Sequence, residues 1–272
     1  MQTKTGLKSS QCFPTRPGRD DWKETFSFIS AACVGRGGSG SVFAIDKERV
    51  IKVFPGDAEG RRDLERELAI YRKLGNGKAS EHIVKFHEKW ESGLVLDRYD
   101  STLRQLLSLP PEVLPTQLAL QWAQEIGHGL KGLHSKEILH GDLGCQNIMV
   151  DSSNRTKLCD FAGSSFRDGD IWNDAWVSYE VRSQHPKYRG RQPTVETEIF
   201  AFGSVIFEIW TSQPPYATES DLVVRRKFLA QDFPLLMIED FRIRDVVRKC
   251  WMGEYECVAD TCNDLDIIER VQ

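Results

Sequence analysis

The spacing of apolar residues changes character near residue 98, and that change limits the folds open to this chain. Before it, apolar residues come in short runs: Phe26-Ser27-Phe28-Ile29, Val42-Phe43-Ala44-Ile45 and Val50-Ile51-Lys52-Val53-Phe54. This is the pattern of strands in an antiparallel meander. Two further strands are expected near His82–Phe86 and Leu94–Leu96. One helix interrupts the series, predicted from about Ala58 to Leu74. Leu64, Leu68 and Tyr71 recur at helical spacing, and Gly75-Asn76-Gly77 stops it. Beyond Asp100 the period becomes helical. After Pro110, Pro111 and Pro115, one face carries Leu118, Trp122, Ile126, Leu130 and Leu133. Ile199–Trp210 is apolar on every side, which predicts a helix buried in a core. Short strands are expected at Ile148-Met149-Val150 and Lys157-Leu158-Cys159, and two or three more helices before Gln272. The reading is α+β. A flexible leader over 1–22 precedes a small β-rich lobe over 23–98, and a larger helical lobe follows over 99–272.

Composition narrows the function classes. Lys and Arg total 36 against 40 Asp and Glu, a net charge of −4. There is no basic excess to point to nucleic acid or a membrane surface as partner. The first residues carry Lys4, Lys8, Arg16 and Arg19 without the apolar stretch of a signal peptide. The longest apolar run, Ile199–Trp210, includes Glu208 and is too short to span a bilayer. Seven cysteines without CxxC pairing suit a reduced compartment, so an intracellular, cytoplasmic protein is expected.

Several residues carry chemistry in a fixed order. Gly35-Arg36-Gly37-Gly38-Ser39-Gly40-Ser41-Val42 joins strand to strand, and its glycines let backbone N–H groups approach phosphate oxygens. Because the glycines do not lead into a helix, a dinucleotide-binding βαβ unit fits poorly. Lys52 sits in an apolar strand on the face opposite Ile51 and Val53. Glu67 falls beside the Leu64–Leu68–Tyr71 stripe, while Glu65 lies further out, so Glu67 is placed to meet Lys52. Asp142 and Asn147 stand five apart between a helix end and a short strand, where a carboxylate can orient a hydroxyl proton and an amide oxygen can hold Mg²⁺. Asp160 ends the next strand and offers the hard oxygen that Mg²⁺ prefers. Singly, each is an ordinary turn, surface lysine or cap; the order and spacing give them weight.

This set resembles the eukaryotic protein kinase family, and its HGD, DFAGSS and KCW segments look most like divergent fungal-type members. The matching pieces are the glycine loop at 35–42, Val50-Ile51-Lys52, Glu67, His140-Gly141-Asp142 with Asn147, and Asp160-Phe161. Glu198-Ile199-Phe200-Ala201-Phe202-Gly203, Pro214-Pro215-Tyr216 and Lys249-Cys250-Trp251 resemble segments of the kinase C-lobe. The likeness covers roughly residues 28–252. It implies a two-lobed kinase fold, ATP and Mg²⁺ as cofactors, a protein substrate and a monomer. It also implies that Asp142, Lys52 and Glu67 are catalytic and that Asn147 and Asp160 hold the metal. The nucleotide would meet Gly35, Arg36, Gly37, Gly38, Ser39, Gly40, Val42 and Lys52, with Leu96 as gatekeeper and Asp97-Arg98-Tyr99 as hinge.

The departures matter. Gly141 replaces the arginine of H-R-D, which in the family pairs with a phosphate on the activation segment. Gly144 stands where Ser/Thr-specific members carry lysine, and Gln146 where many Tyr-specific members carry arginine, so Ser/Thr is only the favoured acceptor and turnover is expected to be slow. Ala162 replaces the glycine of D-F-G, Glu198 replaces an aspartate, and Ser178-Tyr179-Glu180 is the nearest match to A-P-E. Cys159 would point near the nucleotide. Two other readings stay open: a small-molecule phosphotransferase of the aminoglycoside or choline type, whose loop also reads HGD, and a pseudokinase that only binds.

Overall fold

The computed structural model describes residues 23, 27, 31–75, 81–109, 114–169, 171–173, 180–187 and 192–270. The expected leader, most of the strand at Phe26–Ile29, the stop at Asn76-Gly77 and the pair Ser178-Tyr179 lie outside them.

Five antiparallel strands form the first sheet, in the order β1-β2-β3-β5-β4. They are β1 (Cys33–Arg36), β2 (Ser41–Ala44), β3 (Arg49–Val53), β4 (Phe86–Trp90) and β5 (Gly93–Asp97). Gly35 and Arg36 of the predicted glycine loop belong to β1, and the turn itself is closed by the Gly37 N–H donating to the Gly40 carbonyl at 2.9 Å. A Cβ at Gly40 would lie 2.4 Å from the Val53 carbonyl oxygen, so only glycine lets the loop run so close over β3. Helix α1 (Ala58–Leu74) packs on this sheet through Leu64, Leu68, Ile70, Tyr71 and Leu74. It starts where the Asp57 carboxylate accepts from the Gly60 N–H at 2.8 Å and ends at Gly75 with φ +59°.

The strand expected at His82–Phe86 is displaced: the ladder begins only at Phe86. Residues 82–84 instead reach across to the helical lobe, where Ile83 bridges Leu158 and the Val84 N–H donates to the Leu158 carbonyl at 2.9 Å. The apolar pair Ile83-Val84 is buried at this seam between lobes. Strand β9 (Thr156–Leu158) is one residue earlier than expected, because the Cys159 N–H turns to the Asn147 carbonyl at 3.0 Å.

The second lobe opens with β6 (Ser101–Thr102) and the short α2 (Leu103–Leu107), followed by the long α3 (Thr116–His134). Two small sheets lie at its upper face: β6-β8-β9, with β8 at Ile148–Val150, and β11-β10-β7, with β7 at Ile138–Leu139, β10 at Ser165–Asp168 and β11 at Ile171–Asn173. β8 is the strand expected at Ile148-Met149-Val150, whereas β6, β7, β10 and β11 are too short for any period to show in the sequence. Helix α4 (Val195–Thr211) runs through the core, with every residue from Thr197 to Ile209 buried. Each large apolar side chain so buried contributes about 1.5–3 kcal/mol. Gly203 lets α6 (Phe241–Met252) close on α4: a Cβ there would lie 2.6 Å from that of Cys250. Trp251 then packs on Phe207 and donates from Nε1 to Ser204 Oγ at 3.0 Å. Helices α5 (Asp221–Leu229) and α7 (Val258–Arg270) complete the lobe. No helix among the described residues is long and apolar enough to cross a membrane. The six cysteines among them are free.

Candidate active site

Register places Val42 opposite Lys52, and Lys52 opposite Leu94, so the three side chains share one face of the first sheet. The Lys52 ammonium, almost fully buried, donates to Glu67 Oε2 at 2.7 Å and to Asp160 Oδ1 at 2.7 Å. One cation thus joins β3, α1 and the loop after β9. Burial alone would favour neutral lysine, but Glu67 and Asp160 outweigh it and raise the lysine above its ordinary value, so it stays charged. Burial likewise pushes the Asp160 carboxyl up, and the charge and hydrogen bond of Lys52, with help from Ser39, overcome this and hold it below the usual range. Ser39, at the tip of the glycine loop, donates to both Asp160 oxygens at 3.1 and 3.2 Å. That contact, not expected from the sequence, brings the loop tip onto the carboxylate.

Asp160 itself has φ +64°, an unusual left-handed conformation for a non-glycine residue. The ring of the following Phe161 explains what holds it there. Phe161 is fully buried between Tyr71 of α1, at 5.4 Å edge-on, and His140, at 5.3 Å, while Tyr71 stacks on Phe86 at 5.2 Å. A column of rings therefore links β4, α1, the Asp160 loop and the 140–147 loop. Two cations on α1 reinforce it through carbonyls: Arg66 Nη1 donates to Ala162 at 3.0 Å and Lys73 Nζ to Arg167 at 2.8 Å.

The 140–147 loop is fixed from below by Glu198. One carboxylate, fully buried, accepts from the His140 N–H and from the Gly141 N–H, each at 2.9 Å. The longer glutamate in place of aspartate thus spans two consecutive amides. Gly141 has φ +74°, and a Cβ there would lie 2.3 Å from the Gly163 carbonyl oxygen, so glycine is required by both backbone and space. His140 is kept neutral by burial, its Nε2 lies 3.1 Å from the Cys159 carbonyl, and its own carbonyl accepts from Ser164 Oγ at 2.6 Å.

Within this frame Asn147 Nδ2 donates to Asp142 Oδ2 at 2.9 Å and to the Asp142 carbonyl at 2.8 Å. Both Nδ2 bonds go to Asp142, and the amide's other atom, Oδ1, is a hard oxygen, the donor type a magnesium ion takes. Asp160 Oδ2, held by Ser39, is of the same kind. Burial, with the Asp160 charge adding to it, pushes the Asp142 carboxyl up to about 7. A carboxyl with that value suits proton transfer near neutrality.

The remaining predicted positions are more scattered. Leu96 is buried in β5 between its ladder partners Val50 and Phe86. The Asp97 carboxylate faces outward to His87 Nε2 at 2.6 Å, so it meets nothing in the cleft through its side chain. The Arg98 N–H donates to the Glu48 carbonyl at 2.8 Å, and Tyr99 packs half-buried against the core. Arg36, Gly37 and Gly38 lie at the loop's open edge, with space around both glycines. Cys159 is partly buried, and burial together with the Asp160 charge raises its thiol so that it stays protonated. Glu180, the nearest match to A-P-E, pairs with Arg104 of α2 at 2.6 Å, and the same guanidinium grips the buried Glu208 of α4 through two bonds at 2.7 and 2.8 Å.

A small sheet with one helix, set on a helical lobe and joined to it by a lysine–carboxylate cluster, is the architecture of the two-lobed kinases. A model of the protein kinase domain matches residues 28–258, and the chain belongs to the protein kinase family. It is 24% identical over 254 residues to the serine/threonine-protein kinase mos of Patiria pectinifera, covering 86% of this chain and 72% of that protein. It is 23% identical to the mitogen-activated protein kinase kinase kinase 1a of Physcomitrium patens over 89% of this chain, but this spans only 32% of that protein. Over 56% of its length it is 27% identical to the kinase suppressor of Ras A of Caenorhabditis elegans, matching 22% of that protein.

Proposed function

We propose that the chain transfers the γ-phosphate of ATP to a serine or threonine hydroxyl of a protein substrate. The observation that carries this is the meeting of Lys52, Glu67 and Asp160 at the seam between lobes, together with the hydrogen-bonded Asp142–Asn147 pair. We take 23–98 and 99–272 as the two lobes. Magnesium, when bound with ATP, would neutralise phosphate charge and draw electrons from the phosphorus. Asn147 and Asp160 would hold it. The glycine loop at 35–40 and Lys52 hold the phosphates, and Glu67 holds Lys52 in place. Val42, Leu96 and the 97–99 backbone bound the base. Asp142 orients the acceptor hydroxyl and accepts its proton. The preference for serine or threonine hydroxyls rests on the likeness to mos of Patiria pectinifera, a serine/threonine-protein kinase.

Radiolabelled ATP with Mg²⁺, offered with a generic protein beside choline, aminoglycosides and sugars, tests this reading. Label is expected in the protein, and transfer to a small alcohol instead, or none at all, would overturn it. Regulation has its own test. Arg66 and Lys73 tie α1 to the segment after Asp160 through carbonyls, which need no phosphate, and Gly141 carries no side chain to receive one. Phosphatase-treated protein is therefore expected to keep its activity. If it is inactive and phosphorylation between Ser164 and Ser178 restores turnover, this account of Gly141 is wrong.

A further inference from the structure

Helix α6 turns Ile243, Val246, Val247, Cys250 and Trp251 inward, and α7 buries Val258, Cys262, Leu265 and Ile268. Two large apolar residues stand outside these stripes. Phe241, the first residue of α6, is 72% exposed, and Ile267 of α7 is 55% exposed. The 3₁₀ turn Leu235–Met237, which leads toward α6, adds Leu236 at 85% and Met237 at 45%. The core does not need an apolar side chain at such positions, and apolar side chains grouped in water mark interaction surfaces. Here they border a groove. Leu235, Phe241, Val246, Ile267 and Ile268 line an open space of about 530 Å³ between the turn, α6 and α7. Concave binding sites typically measure about 300–1,000 Å³.

The groove is charged as well as apolar. Its lining sets Arg242, Arg244, Arg248 and Lys249 against Asp245 and Asp264, a positive surplus on a chain whose net charge is −4. Three of the cations are tied to carboxylates: Arg242 to Asp240 at 2.7 Å, Arg248 to Asp245 at 2.9 Å, and Lys249 to Asp245 at 3.0 Å and Asp264 at 2.9 Å. Arg244 differs from them. Its Nε and Nη2 donate to the Ile238 carbonyl at 2.9 and 2.7 Å, and Nη2 also reaches the Glu239 carbonyl at 3.2 Å. These bonds hold the guanidinium still without neutralising it. Among the described residues no carboxylate pairs with Arg244, and its Nη1 makes no hydrogen bond. Phe241 and Arg244 stand three apart on α6, so an exposed ring and a fixed, unanswered cation share one side of the helix.

We infer that this groove docks an acidic amphipathic helix of a partner protein, its apolar face on Leu235, Phe241 and Ile267 and a carboxylate on Arg244. The walls are two helices and a turn, which offer no free strand edge to extend, and walls of this kind accept a helix laid lengthwise. An arginine already held by carbonyls loses little freedom on meeting a carboxylate, so the contact forms at low entropic cost. The segment 1–22 of this chain has the wrong charge for the groove, with Lys4, Lys8, Arg16 and Arg19 against Asp20 and Asp21. A second copy seated symmetrically would bring two like-charged grooves together. The groove shares no residue with the cluster around Lys52 or with the 140–147 loop, so docking and phosphoryl transfer use separate side chains.

Random peptides displayed on phage, about 16 residues long and so able to form four helical turns, test this when selected on the full chain. Binders are expected to carry Asp or Glu beside apolar residues at helical spacing. Their synthetic versions should bind in fluorescence anisotropy, and more weakly as salt rises. Phe241→Ser is expected to weaken them about tenfold or more, with Tm unchanged because the ring lies mostly in water. Arg244→Gln, which keeps an amide donor for the carbonyls but drops the charge, should weaken them to a similar degree. Exchanging the acids of the peptide for amides should cost as much, and decides the role of charge if Arg244→Gln does not fold. Binders that are basic or uncharged, binders that all ignore Phe241→Ser, or no binders at all would overturn the inference. So would a dimer in sedimentation that Phe241→Ser dissolves, since the face would then join copies of this chain. Each outcome is read without phosphotransfer, so failure here leaves the kinase reading standing, and an inactive wild type leaves this inference standing.

Discussion

Asp142→Asn is expected to lower kcat by about 10²–10⁴-fold, the range over which a positioned proton acceptor acts, while fold and nucleotide affinity persist. The exchange is nearly isosteric, and the new side chain can still present an oxygen to Asn147 Nδ2, which now lies 2.9 Å from Asp142 Oδ2. What is lost is the ability to take a proton. The pH profile gives a second readout. Burial and the Asp160 charge push the Asp142 carboxyl up to about 7, and the useful form is the carboxylate. Wild-type kcat/KM should therefore fall as pH drops through about 7, and that limb should be missing from whatever activity the variant keeps. Full turnover in the variant would remove Asp142 from the mechanism.

Lys52→Ala is expected to strike stability as well as transfer. The ammonium answers two carboxylates at 2.7 Å, and Glu67 is fully buried. Removing one partner of a buried pair costs about 3–5 kcal/mol, because the other is left charged and dry. Burial already pushes the Glu67 carboxyl up to about 7, so it can take up a proton and soften the loss. Lys52→Ala combined with Glu67→Gln should then recover much of the Tm and none of the phosphotransfer. If the double variant regains activity, Lys52 is a structural cation only. If Lys52→Ala alone melts like wild type, the pair contributes nothing to the fold.

How much of this was legible in the sequence depends on what kind of atom makes each contact. Helix α1 is visible because its apolar stripe and its terminal glycine are side-chain signals, and the same helical phase turns Glu67 toward the sheet. Ile83-Val84 misleads because an apolar pair reads alike whether it continues a ladder or crosses to another lobe. The ties from Arg66 and Lys73 run to carbonyls of residues 162 and 167, and a carbonyl leaves no trace in a sequence. Glu198 could be matched by resemblance, yet only the folded chain shows it spanning two amides. Gln146 is hidden for a similar reason: its amide folds over Gly144, where a Cβ would lie 2.3 Å from Oε1, so two residues that each look like a loss in the sequence fill one space.

Glu198 has a consequence for how the molecule comes apart. It belongs to α4, the most deeply buried helix, yet its carboxylate closes the hydrogen bonds of His140 and Gly141. The loop that carries Asp142 is thus tied to the core at that end: to release the two amides, α4 must move or Glu198 must give up both bonds. Loops at working sites are commonly drawn from the least stable parts of a protein. Here the loop is sewn to a helix buried from Thr197 to Ile209, so its shape is tied to the packing of the second lobe's core.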